Sequence, residues 1–277
     1  MRVRSAAVAG MFYPGSAGEL ATMISGFLVP PAGWASLGAP RALIVPHAGY
    51  IYSGATAGLG YALVQPLADQ VKHVIIVGPA HRVAIRGIAL PDADTLETPL
   101  GVVPLWADGV RTALAQPDVV VSGAVHAQEH SLEVQLPFLQ TVLPAADVLP
   151  LAASWVDPAA VAAVLEALWA PDTFVVISSD LSHYHSYAQA RRIDEATVRQ
   201  ILRQDPTLDY DQACGATGVN AMALVARAHG LHPHLLGLCN SGDTAGDKSR
   251  VVGYAAVAFH ECGLHPDHDG GLGEVMT

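Results

Sequence analysis

The chain has 277 residues, 51% of them hydrophobic and only 14% charged, with a formal net charge of −11 at pH 7. That much apolar material builds a sizeable core and excludes a disordered chain or a coiled coil, while the acidic balance disfavours nucleic acid and anionic membrane as main partners. Mean hydropathy is positive, yet no uninterrupted apolar run reaches the roughly 18 residues needed to span a bilayer. The N-terminal MRVRSAAVAGMFYPGS lacks the sustained apolar stretch of a signal peptide. Three widely spaced cysteines, Cys214, Cys239 and Cys262, make no disulfide framework and point to a cytoplasmic protein.

In chain order, Ser16 is placed to cap a helix over 17–28, with Glu19 at the third helical position of a capping box. A Pro-Pro-Ala-Gly turn at 30–33 precedes an apolar strand over 41–45. Small residues over 54–67 suit a helix packed closely on a sheet, and 71–77 contains a second buried strand. The segment 85–90 is apolar, 96–105 has strand character, 108–115 is a short helix and 119–121 a short apolar run. His130 to Leu136 begins a helix interrupted near Pro137. A strand at 148–152, an amphipathic helix at 158–170 and a third site-bearing strand at 174–177 follow. Helices at 188–203 and 217–229 and strands at 234–238 and 251–259 complete the pattern. Strands alternate with helices throughout, which predicts an α/β layered sheet with flanking helices. One domain over 1–260, with a loose Gly-rich tail from 261, is the simplest organisation.

Thirteen histidines are the unusual count. Three apolar strands each end abruptly on chemistry: the first on Pro46-His47-Ala48-Gly49-Tyr50, the second on Gly78-Pro79-Ala80-His81, the third on Ser178-Ser179-Asp180-Leu181-Ser182-His183. In an open α/β sheet, ligands bind beyond the carboxyl ends of the strands, so these residues can gather into a metal site. His47 and His81 are the expected metal ligands. Asp180 and His183 offer an oriented acid/base pair or a metal-binding pair. In Glu129-His130-Ser131-Leu132-Glu133, His130 and Glu133 stand three apart and can supply a base or orient a ligand. Asp243, in the polar Asn240-Ser241-Gly242-Asp243-Thr244 turn after the fourth strand, is the expected third ligand, with Cys239 the thiolate alternative. Cys214 and Cys262 read as ordinary thiols, and His265 and His268 as bystanders in the tail. The chain has no Walker A, G-x-G-x-x-G or G-x-S-x-G motif.

Six ordered motifs resemble the Memo family, whose bacterial members are called AmmeMemoRadiSam system protein B. They are Ala-Gly-Met-Phe-Tyr-Pro at 9–14, Pro-His-Ala-Gly-Tyr at 46–50, Gly-Pro-Ala-His at 78–81, Glu-His-Ser-Leu-Glu at 129–133, Ser-Ser-Asp-Leu-Ser-His at 178–183 and Val-Val-Gly-Tyr-Ala-Ala at 251–256. The family is similar in fold to the class III extradiol dioxygenases, the LigB-like non-haem iron enzymes. The resemblance implies a pocket formed by His47, His81, Asp180, His183 and Asp243. From the animal members it also implies a cysteine near 243 or 244 joining two histidines; this chain has none there. A genomic association with an AMMECR1-like protein and a radical SAM protein is implied as well.

Two functional classes follow. One is an Fe(II) enzyme using O2 on an aromatic or phenolic small molecule, with His130 or His183 moving protons. The other is a non-catalytic metal-binding or redox-partner protein retaining the dioxygenase fold. Fe(II) is the expected metal, with Zn or Cu as alternatives. A metal-dependent hydrolase is a weaker third.

Overall fold

The computed structural model describes residues 2–31 and 38–261. The chain opens with β1 (Val3–Arg4) and α1 (Ala17–Phe27), which buries Leu20 and Ile24. Ser16 stands at the N-cap of α1, but its side chain makes no capping hydrogen bond, so the capping box with Glu19 does not form. Then come β2 (Pro40–Val45), α2 (Tyr50–Val64), β3 (His73–Pro79), β4 (Gly87–Leu90) and a hairpin of β5 (Thr95–Thr98) and β6 (Gly101–Pro104). α3 (Ala107–Leu114), β7 (Val119–Val121), α4 (Gly123–Ala127) and α5 (Leu136–Val142) lead to β8 (Asp147–Ser154). α6 (Pro158–Ala167), β9 (Thr173–Ser178), β10 (His183–His185) and α7 (Tyr187–Leu202) follow. α8 (Ala216–Ala228), β11 (Leu231–Asn240) and β12 (Val251–Glu261) end the described chain.

The expected helices and apolar strands are present, with ends displaced by a few residues. The exception is the stretch from His130, which is an irregular turn leading through a 3-10 turn (Glu133–Gln135) into α5. Pro137 lies in the first turn of α5, where its missing N–H costs nothing. β1 and β10 were not anticipated; two or three residues carry too little pattern to read. The turn at 30–33 runs into residues outside those described, and so do the tail after 261, Cys262, His265 and His268.

β2, β9, β3 and β8 lie side by side and parallel at the centre of a nine-stranded sheet. Their apolar runs are unbroken because both faces are covered. Leu43 and Val45 enter one core cluster while Ala42 and Ile44 enter another, as strand alternation requires. β12 closes one flank of the parallel block antiparallel to β2, and β4 closes the other antiparallel to β8. Among the described residues, no helix is long and apolar enough to cross a membrane.

A buried carboxylate ties the N-terminal segment to this frame. Glu133 accepts hydrogen bonds from the amides of Ala7 at 2.8 Å and Val8 at 3.0 Å and from the Tyr13 hydroxyl at 2.6 Å. It also forms an ion pair with Arg4, whose guanidinium donates further to the carbonyls of His126 and Glu129. Burial and the neighbouring Glu133 charge hold the Tyr13 phenol well above its usual range, so it stays a donor. All of the Glu133 carboxylate's hydrogen bonds run to the N-terminal segment, and none to His130. Removing one member of such a buried pair strands the other charge. Glu133→Ala should therefore lower stability by about 3–5 kcal/mol, read as a shifted urea midpoint, whereas an unchanged midpoint would show that the segment is held by other contacts.

Candidate metal centre

β9 lies between β2 and β3. Strands are spaced about 4.8 Å apart, so the residues just beyond β2 and β3 start about 10 Å from each other. His47 and His81 close that gap by leaning across the end of β9, bringing their rings to 5.2 Å between centroids. The third member comes from elsewhere. Cys214, just before α8, sits with its sulfur 3.2 Å from His47 Nε2. His47, His81 and Cys214 each place a ligand atom within 4.8 Å of the other two.

The turn carrying Cys214 is pressed against the end of β9. The Cys214 amide donates to the Asp180 carbonyl at 3.3 Å, and the Gly215 amide to Ser179 Oγ at 2.9 Å. A Cβ at position 215 would fall 2.7 Å from Ser179 Cβ and 2.8 Å from the Ser178 carbonyl oxygen, so only glycine permits this approach.

The hydrogen bonds decide which ring nitrogens face the site. Ser178 Oγ donates its single proton to the Ser131 carbonyl at 2.6 Å and accepts from Gln135 Nε2 at 2.8 Å. Toward His47 Nδ1, 3.0 Å away, it can then only accept. Nδ1 of His47 therefore carries the proton, and Nε2, the atom beside Cys214, keeps its lone pair. Gln135 is itself held by the Pro46 carbonyl at 3.0 Å and the Tyr61 hydroxyl at 2.9 Å. His81 is fixed in the same sense by Glu129, whose Oε1 lies 2.9 Å from His81 Nδ1. Glu129 also accepts from the amides of His81, His130 and Ser131. Burial alone would raise its carboxyl; the hydrogen bonds from His81 and the backbone amides outweigh burial and keep it ionised. Both histidines thus have a protonated Nδ1 and a free Nε2, the arrangement found where a second layer orients metal ligands.

His130 completes a ring of imidazoles. Its ring lies 4.7 Å from that of His81 and 5.5 Å from that of His47, with Phe12 at 4.6 Å. Its Nδ1 is buried without a hydrogen-bond partner; Glu129 Oε1 is 3.3 Å away but not aligned to bond. Burial lowers the His130 pKa to about 4, so it is neutral near pH 7. His183 is also lowered, by burial first, and lies close enough for its charge to affect His47. The Asp180 carboxylate receives the His47 amide at 2.8 Å, positioning the ligand's backbone. Burial pushes its pKa up to about 7 against that bond.

Asp243 is not drawn into either cluster of potential ligands, the His47–His81–Cys214 group or the adjoining His81–Glu129–His130 group. Its oxygens are taken by the Asn240 amide at 3.0 Å and the Tyr187 hydroxyl at 2.5 Å, so it caps its own turn. Cys239 meets Thr56 Oγ1 at 3.1 Å. The residue that joins His47 and His81 as a potential ligand is instead Cys214, read above as an ordinary thiol. Glu129, Ser178 and Gln135 were also missed as positioning residues. The signals available were Cys214-Gly215 at the entrance to a helix and Glu129 beside His130.

A family profile described as Memo-like protein matches residues 4–258. The chain belongs to the Memo family. It is similar to a MEMO1 family protein of Metallosphaera sedula, 34% identical over 93% of this chain and 99% of the relative. A MEMO1 family protein of Aquifex aeolicus is 34% identical over 94% of this chain and 100% of its own. One from Archaeoglobus fulgidus is 32% identical over 93% and 99%.

Two outcomes test the site, and the first separates this ligand set from the one containing Asp243. Cys214→Ala should weaken divalent-metal binding by at least about tenfold, with Asp243→Ala close to wild type; the reverse order in a competition titration would return the third position to the carboxylate. A second concerns pH. The unfolded chain protonates residue 130 near 6.5, whereas the folded site resists until about 4. Acid therefore favours unfolding across that window, and His130 contributes a loss of up to about 3 kcal/mol as pH falls from 6.5 to 4. Asp180 and Asp194, both raised by burial, act in the opposite sense. His130→Asn should flatten the fall in urea midpoints between pH 6.5 and 4; an equally steep profile would place the titration elsewhere.

Proposed function

We propose that this Memo-family protein binds one iron(II) ion through His47, His81 and Cys214 and acts as a dioxygenase-like oxidoreductase on an aromatic or phenolic small molecule, in a LigB-like frame. The observation that carries the reading is the pair of histidines with Nδ1 committed and Nε2 free, meeting a cysteine at one sheet edge. Two imidazoles and a thiolate fit a transition-metal ion, and three protein donors leave further coordination positions open. Iron held there would supply open positions for dioxygen and an oxygen-bearing substrate.

The remaining roles belong to the chain. His130 is neutral, buried on one side by Phe12, and has an unbonded Nδ1 beside the ligands. It can take a proton from a phenolic hydroxyl and return it. His183, also held neutral, stands as the second proton carrier. Glu129 keeps His81 oriented and would offer a negative charge to an ion held there. Asp180 fixes the backbone of His47 and so the line of its Nε2.

The thiol of Cys214 favours a second reading. Thiolates suit copper(I) and zinc as well as iron, and a protein that holds such an ion without turning over a substrate needs the same ligands. Anaerobic reconstitution with Fe(II) followed by nitric oxide distinguishes the two. The dioxygenase-like reading expects one iron per chain and an iron–nitrosyl EPR signal that survives His130→Ala and is lost in Cys214→Ala. Iron displaced stoichiometrically by copper(I) or zinc, with no nitrosyl signal, would favour the metal-holding protein.

A further inference from the structure

A second group of imidazoles lies at the other end of the sheet. β11 and β12 pair antiparallel, with His232 opposite His260 and His234 opposite Ala258. Directly paired residues share a face, and so do positions two apart on a strand. His232, His234 and His260 therefore project from one face of two neighbouring strands. His260 also pairs with Pro40, at the start of β2, whereas His47 follows the end of that strand. The two groups thus sit at opposite edges of the sheet.

His260 is the anomaly. It is 2% exposed, and neither of its ring nitrogens has a hydrogen-bond partner. A neutral imidazole carries one donor and one acceptor, so both are stranded in the core, and a buried polar group left this way calls for an occupant. The group facing it is another imidazole: the His234 ring is 5.3 Å away at 70°. Both rings are held neutral by burial, His260 at about 4, which is the form that ligates metals. His232, directly opposite His260, is exposed at the rim of its strand.

We propose that His234 and His260, joined by His232, bind a second transition-metal ion of the zinc, nickel or copper(II) class, at the sheet edge opposite His47. Imidazole is a preferred donor for these ions, and two or three such donors on one face leave the remaining positions to water. The three are not gathered as tightly as His47, His81 and Cys214. His232, being exposed, completes the set by a change of rotamer.

The test uses the full chain with the first site removed (His47→Ala, Cys214→Ala) and the two C-terminal imidazoles replaced (His265→Ala, His268→Ala). Calorimetric titration with Zn(II) should show one equivalent bound. His234→Ala and His260→Gln should each weaken that binding by more than about tenfold. His234 is only half-buried, so its alanine variant reports on the site without emptying the core; circular dichroism confirms the fold. With the first site intact, His234→Ala should lower zinc stoichiometry by one. Absence of stoichiometric binding in the background protein, or binding that both substitutions leave unchanged, would overturn the proposal and leave an ordered water as the partner of His260.

Discussion

The candidate metal centre depends on one saturated oxygen. Ser178 Oγ has a single proton and uses it on the Ser131 carbonyl. Its remaining capacity goes to Gln135 and His47, so it cannot also donate to the imidazole. That count fixes the His47 tautomer more firmly than distance alone, because the alternative would leave two lone pairs facing each other. The same oxygen links β9, the turn before α5 and the end of β2. A change in any of the three would reach His47 through it. Glu129 does for His81, with a charge, what Ser178 does for His47 with a hydroxyl.

Much of the frame could be read from the sequence because parallel strands buried on both faces are near-continuous apolar runs, and the three carrying His47, His81 and Asp180 are of that kind. Their adjacency was not readable. It arises from β9 inserting between β2 and β3, although β9 comes about a hundred residues after β3 in the chain. Cys214 was missed for a related reason. It precedes a helix rather than follows a strand, and its closeness to His47 is created by tertiary contact between Gly215 and Ser179. Asp243 stands outside both groups of potential ligands. A carboxylate in a Gly- and Ser-rich turn after a strand resembles a ligand, but such a turn has its own unpaired amides, and the Asn240 amide takes the oxygen first.

His130 and Glu133 show how an expected pair can divide. Their spacing suggested a shared helical face, yet the chain at His130 is irregular and the two side chains serve different layers. Glu133 is absorbed by four donors from four residues of the N-terminal segment. That segment in turn carries Phe12 against the His130 ring. The buried carboxylate therefore acts on the centre only at one remove, by holding the wall that desolvates His130 and keeps it neutral.

Charge balance gives the last constraint on the ligand set. A divalent ion at the centre would meet Glu129, kept ionised by its donors, and the Cys214 sulfur. In the absence of a cation, burial and the neighbouring Asp180 hold that thiol above its usual range. A nearby cation reverses the balance and draws the proton off, as metal coordination does for thiols generally. Thiolate and Glu129 together then neutralise two positive charges, with no need for a carboxylate from the Asp243 turn. Asp180 gains the same way, since the field that ionises Cys214 also pulls its buried carboxyl toward the charged form and strengthens its hold on the His47 amide. Binding of an ion and tightening of the residues that orient it would thus be one electrostatic event, with protons leaving the site as the metal enters.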